Sequence, residues 1–241
     1  MLVEVIACAP EEVIAVQEGG ADRIELCCAL EIGGLTPSKA LFEFAKEGSV
    51  PVAAMVRPRT GGYRYSSDEI SFICREISWF AANQANFIVV GASHSDDTLN
   101  LDAMKQFQEA ANGVPIVCHR VFDQTPDLEL ALEQLMKLGI RRTLTSGAQK
   151  TAAEGAEMIA RLVKLAGNDI EIAPAAGIRY HNVQDLISQT GVSQIHASVV
   201  AAPEPHFPKP VDFGVAPRVL ASEVRRFVEA AKGVSKDTDS A

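Results

Sequence analysis

The stretch Gly19-Gly20-Ala21-Asp22-Arg23-Ile24-Glu25-Leu26-Cys27 carries the reading of the fold. A glycine pair stops a helix, and an alternating strand follows, with Ile24 and Leu26 on one side and Arg23, Glu25 and Cys27 on the other. With the apolar pair turned towards helices, Glu25 and Cys27 line an interior. The same unit recurs along the chain. Short runs rich in Val, Ile and Ala fall at 2–8, 23–27, 52–57, 86–90, 115–120, 142–146, 170–175 and 194–198, and helical patterns lie between them. Ser66-x-x-Glu69 is a capping box ahead of the stripe Ile70, Ile73, Cys74, Ile77 and Ala81. Thr125-Pro126 reads as a cap followed by proline at the first helical position, before Leu128, Ala131, Leu132 and Leu135. Gly139 stops the helix before strand six.

Eight strand and helix units could form a doubly wound sheet. In 241 residues they close more economically as a single (β/α)8 barrel, a TIM barrel, whose typical length is about 250 residues. The barrel is expected to occupy residues 1–232, ending in a helix over 216–231 whose apolar face is Leu220, Val224, Phe227 and Val228; residues 233–241 read as a flexible tail. Four prolines between 203 and 210 rule out regular structure after strand eight and predict a loop, 201–214, over the barrel mouth.

Composition narrows the function classes. A hydrophobic share of 47% with 22% charged residues is that of a globular domain. No apolar run approaches the ~20 residues of a membrane span, and the N-terminus lacks the basic and apolar segments of an export signal, so a cytoplasmic protein is expected. A formal charge of −9 argues against nucleic acid and anionic membranes as partners. The five cysteines are odd in number, show no CxxC spacing, and read as reduced thiols.

In such barrels the C-terminal strand ends and the loops after them build the active site, so polar residues there call for an explanation. Glu25 could carry protons or could merely pair with Arg23 or another interior arginine. Arg57-Pro58-Arg59, followed by Gly61-Gly62, suits a carboxylate or phosphate held by bidentate hydrogen bonds. His119-Arg120-Val-Phe-Asp123 offers a proton carrier, an anion clamp and an orienting carboxylate, although a regular strand would not point both His119 and Arg120 inwards. Ser146, Gly177, His196 and Ser198 follow at strand ends six to eight, where barrels of this kind often hold phosphate. Glu25, His119 and Asp123 are therefore candidate catalytic residues, and the arginines with these four are candidate ligand-binding residues, all converging on one pocket.

The segments Gly20–Cys27, Gly33-Gly-Leu-Thr-Pro-Ser38, Val56-Arg-Pro-Arg59, His119–Asp123, Leu144-Thr-Ser-Gly147 and His196-Ala-Ser198 together resemble the CutC family, over residues 1 to about 200. The chain departs from that family's pattern at Ala175-Ala176, where glycines are usual, and at Gly91–Ser95. The resemblance implies a cytoplasmic, homo-oligomeric TIM barrel acting in copper homeostasis, with Cu(I) as a cofactor bound through cysteines that fall here on Cys8 and Cys27. Two thiolates sharing an ion must lie within about 4.6 Å of each other, twice a metal–sulfur bond of about 2.3 Å. The residues themselves leave a second function open, an enzyme that acts on a small anionic metabolite by acid–base chemistry.

Overall fold

The computed structural model describes residues 1–201, 211 and 218–233. Most of the proline-rich segment 201–214 and the tail beyond Gly233, with the expectations placed on them, lie outside the described residues. Strands β1 (Leu2–Ala7), β2 (Arg23–Leu26), β3 (Val52–Met55), β4 (Phe87–Val90), β5 (Ile116–Cys118), β6 (Arg142–Thr145), β7 (Glu171–Pro174) and β8 (Gln194–Ala197) form one parallel sheet in the order β7-β6-β5-β4-β3-β2-β1-β8. β7 also lies against β8, and Gln194 donates to Glu171 across that seam. The ring is a nearly closed TIM barrel.

Helices α1 (Pro10–Glu18), α2 (Lys39–Lys46), α3 (Ser67–Ala82), α4 (Leu101–Ala111), α5 (Leu128–Lys137), α6 (Ala156–Ala166), α7 (Val183–Thr190) and α8 (Ala221–Lys232) surround it. Alternation along each strand divides the core in two. Val3, Val5, Ile24, Leu26, Ile88 and Val90 pack outwards with the helices, whereas Ile6, Cys27, Met55, Val89, Val117 and Leu144 fill the barrel. Strand two follows the expected alternation, with Ile24 and Leu26 outside and Glu25 buried within.

Local signals held where side chain and backbone agree. The Ser66–Glu69 capping box forms at the start of α3, which buries Ile73, Ile77 and Phe80, while Cys74 packs at the edge of the core. The cap of α5 differs from expectation. Asp127, one residue past the proline, accepts from the N–H groups of Glu129 and Leu130, both at 3.0 Å, and Thr125 instead donates to the Phe122 carbonyl at 2.8 Å. A carboxylate that takes two orphan N–H groups outcompetes a hydroxyl that takes one. α8 starts at Ala221, later than expected, and leaves Leu220 exposed at its cap.

Candidate active site

Burial of charge governs the barrel interior. Glu4 is completely buried. Arg142 donates to both of its carboxylate oxygens at 2.8 Å, Arg23 Nε donates at 2.5 Å, and His196 Nδ1 lies 2.7 Å from Oε1. Burial would raise the pKa of Glu4, but the Arg142 charge and the hydrogen bonds from His196 and Arg142 together hold it well below the usual carboxylate range. Arg23 therefore pairs with Glu4, not with Glu25, whose own ion-pair contact is the longer one to His196.

Among the described residues, Glu25 is buried with its Oε2 free of any hydrogen-bond partner, and His196 Nδ1 lies 3.8 Å from that oxygen. Burial raises its pKa, and the Glu4 charge adds to the rise. His196 is itself raised by Glu25 and Glu4 against the opposing effect of burial. One donor atom from each of Glu4, Glu25 and His196 lies within 4.8 Å of the others, a spacing a metal ion could bridge. Both Glu4 oxygens, however, are already engaged by arginines whose charge neutralises the carboxylate.

Above this cluster the C-terminal face opens into a cavity of about 480 Å³, lined by residues that include Glu25, His119, Arg120, Asp123, His196 and Ser198. His119 and Arg120 both reach it because β5 ends at Cys118 and the chain turns there; the limit set by strand alternation does not apply. Gly91, at the end of β4, makes room for the His119 ring, since a Cβ there would stand 3.0 Å from Nδ1. The Val121 N–H donates to His119 Nδ1 at 3.1 Å, which fixes the tautomer and leaves the proton on Nε2. Nε2 is buried without a hydrogen-bond partner among the described residues. Burial and the neighbouring Arg57 charge lower the His119 pKa to about 3, so the ring is neutral.

The expectation of a single convergent anion site needs correction at its arginines. Arg57 does not line the cavity: it donates to the carbonyls of Ile32, Gly34 and Gly61 at 3.0, 3.1 and 2.7 Å and ties two loops together. Arg59 pairs with Glu69 and faces a separate surface groove. Asp123 reaches the cavity, but its oxygens are occupied. They accept from Thr145 Oγ1 at 2.6 Å, from the N–H groups of Ser146 and Ala148, and from Arg120 Nε at 2.8 Å. Ser146 Oγ accepts from Arg120 at 2.7 Å and donates to the Gln149 carbonyl, which folds loop six back on itself. Arg120, with Arg179 from loop seven, is thus the arginine presented to the mouth.

Gly177 lines the mouth with φ +69°, and an added Cβ would meet Thr151 Cγ2 at 2.8 Å. Its neighbour Ala176 holds φ +78°, a left-handed conformation that costs a residue with a Cβ about 1–2 kcal/mol. Ala176→Gly is expected to stabilise the protein by about 1 kcal/mol, raising Tm by about 2–4 °C for a domain of this size. A thermal melt in which Tm falls would show that the alanine methyl packs favourably enough to outweigh the strain.

Cys8 and Cys27 end the neighbouring strands β1 and β2, and their sulfurs are 3.4 Å apart, inside the reach required of a shared ion. Hydrogen bonding to Cys8 and burial push the Cys27 thiol pKa strongly upward. Neither cysteine lines the cavity.

The model described as CutC family matches residues 1–201. A family protein CutC from Agrobacterium fabrum is 41% identical over 189 residues, 78% of this chain and 75% of that protein. One from Photobacterium profundum is 38% identical over 183 residues, 76% and 75% of the two chains. The crystal structure of a CutC from Streptococcus agalactiae, provisionally named a copper homeostasis protein, superposes with a TM-score of 0.78 at 31% identity, covering 81% of this chain and 97% of that one.

Proposed function

The chain belongs to the CutC family, and from that premise we propose that its barrel mouth is an active site for proton transfer on a small anionic metabolite. One observation carries this reading. Glu25, a buried carboxylate with an unpartnered oxygen, sits in the wall of a cavity at the end of the barrel where enzymes of this fold do their chemistry. Burying such a group with only a long ion-pair contact to His196 costs stability, and the raised pKa makes it a stronger base than an ordinary carboxylate. Arg120 and Arg179 supply the positive charge for the anion.

The test uses a metabolite extract incubated with wild type and with Glu25→Gln, and followed by mass spectrometry. Glutamine keeps the shape of the side chain without its charge, and a circular dichroism spectrum matching wild type checks that the variant is folded. Wild type is expected to transform at least one small anionic metabolite, and the variant to do so about 10²–10⁴-fold more slowly, the usual contribution of general acid–base catalysis. No transformation, or equal transformation by both proteins, would remove the proposal.

A second reading, Cu(I) binding in the cytoplasm by Cys8 and Cys27, is supported by the 3.4 Å approach of the two sulfurs. Thiolates are soft ligands suited to Cu(I), and the two side chains fit that donor set. Copper at this pair would be bound outside the walls of the cavity.

A further inference from the structure

Two residues of the mouth hold polar atoms that nothing in the described residues satisfies, Glu25 Oε2 and His119 Nε2. Their chemistry is complementary. The first can take a proton. The second can only donate a hydrogen bond, because the Val121 N–H occupies Nδ1 and the proton on Nε2 is the last one the neutral ring has. An imidazole in that state polarises an oxygen without protonating it.

Other chemistries of the fold find no support among the side chains here. Glu4 and Asp123 are fully bonded, so neither is free to be the second carboxylate that paired-carboxylate glycoside cleavage needs. The Ser146 hydroxyl is tied to the Gln149 carbonyl at 2.6 Å, and the cysteines are outside the cavity wall, so neither supplies a nucleophile there. What remains for proton transfer at the cavity wall is Glu25 as base, His119 as neutral donor and the arginines Arg120 and Arg179, with His196 and Ser198 beside them.

Resting on the acid–base reading of this same site, we propose that the substrate is a small anionic carbonyl compound with a hydrogen on the carbon next to its carbonyl. Glu25 removes that hydrogen as a proton, the C–H electron pair forms the C=C bond of an enolate, and the carbonyl π pair moves onto the oxygen. His119 Nε2–H holds that oxygen as its charge develops. Return of the proton from Glu25 to the same carbon restores the carbonyl compound and closes the cycle with no oxidant or reductant. Arg57 and Tyr63 position the donor: the Tyr63 ring lies 4.4 Å from the His119 ring, and the Arg57 guanidinium lies 5.0 Å from Tyr63 on loop three. A cavity of about 480 Å³ suits a substrate of a few to a dozen heavy atoms.

The test is solvent exchange. Dihydroxyacetone phosphate, pyruvate and ribulose 5-phosphate are incubated in deuterium oxide with wild type, Glu25→Gln, His119→Met and His119→Gln, and loss of the α-hydrogen signal is followed by proton NMR. At least one compound is expected to exchange with wild type above the protein-free rate. Glu25→Gln should lose about 100-fold or more. His119→Met, which removes the donor, should lose about 10²–10³-fold, as for one oxyanion donor, and His119→Gln, whose amide restores an N–H, should recover part of it. If His119→Met does not fold, the wild-type, Glu25→Gln and His119→Gln rates still decide. Absence of exchange on all three compounds, or exchange indifferent to residue 119, overturns the proposal. If Glu25→Gln also abolishes a conversion in the metabolite extract while no carbonyl compound exchanges, proton transfer at the mouth stands and the substrate class falls.

Discussion

Glu4→Gln is expected to cost about 3–5 kcal/mol of folding stability, the range for removing one partner from a buried ion pair. The glutamine keeps the shape of the side chain but leaves Arg23 and Arg142, both nearly inaccessible, without the charge that offsets their desolvation. Urea denaturation should show a lower midpoint with an unchanged slope. A loss below about 1 kcal/mol would mean that water or Glu25 takes over the role. The pH dependence has a definite sign. Because the folded-state pKa of Glu4 is lowered, its contribution is present above the ordinary carboxylate pKa and is lost as pH falls towards the folded value. The acid side of the stability curve should therefore be steep in wild type and flatter in Glu4→Gln. His196 acts in the opposite sense. Its pKa is raised, so its contribution is complete below the ordinary imidazole value and disappears as pH rises through the raised one.

On the copper reading, anaerobic competition with a Cu(I) chelator should give one ion per chain, and Cys8→Ser or Cys27→Ser should each weaken binding by at least about 10³-fold, on the order of 4 kcal/mol. Hydroxyl oxygen is a hard ligand and does not replace a thiolate for this ion. Cys118→Ser should have no effect on affinity, since Cys118 packs in the helix-facing core. The raised pKa of Cys27 keeps its proton in place at neutral pH, so the metal must displace it. Affinity should then climb with pH by about tenfold per unit for each proton released. Affinity unchanged in the double serine variant would leave the copper reading without a site, while the exchange test above would be unaffected.

The barrel was legible because its signals are local and repeat: helix stops at Gly19-Gly20 and Gly139, a capping box at Ser66, and two-residue alternation in strand two. The site was legible only in part. Position along a strand end led to Glu25, His119, Arg120 and His196, all of which line the cavity, since a barrel directs all of its strand ends to one opening. The same rule could not reveal how donors are spent. Arg57 resembles an anion clamp in sequence, yet carbonyls from residues 25 and 23 positions earlier, with one only 4 later, consume it. Glu4 was missed altogether. A carboxylate between Val3 and Val5, on the side of Ile6, was the available signal, together with Arg142 in strand six; the meaning of each depends on a partner far away in the chain.

That distance sets an order of events for the chain as it is made. Glu4 emerges first, but Arg142 follows 138 residues later and His196 after 192. A nascent chain that has completed only its first five strands carries a carboxylate whose native partners, apart from Arg23, do not yet exist. Non-local closure of this kind is slow, and incomplete barrels expose unpaired strand edges while they wait. The last strand to be synthesised thus governs when the first one becomes secure. A ribosome-bound chain stopped before residue 194 should remain open to proteases along β1, and one extended past β8 and α8 should not.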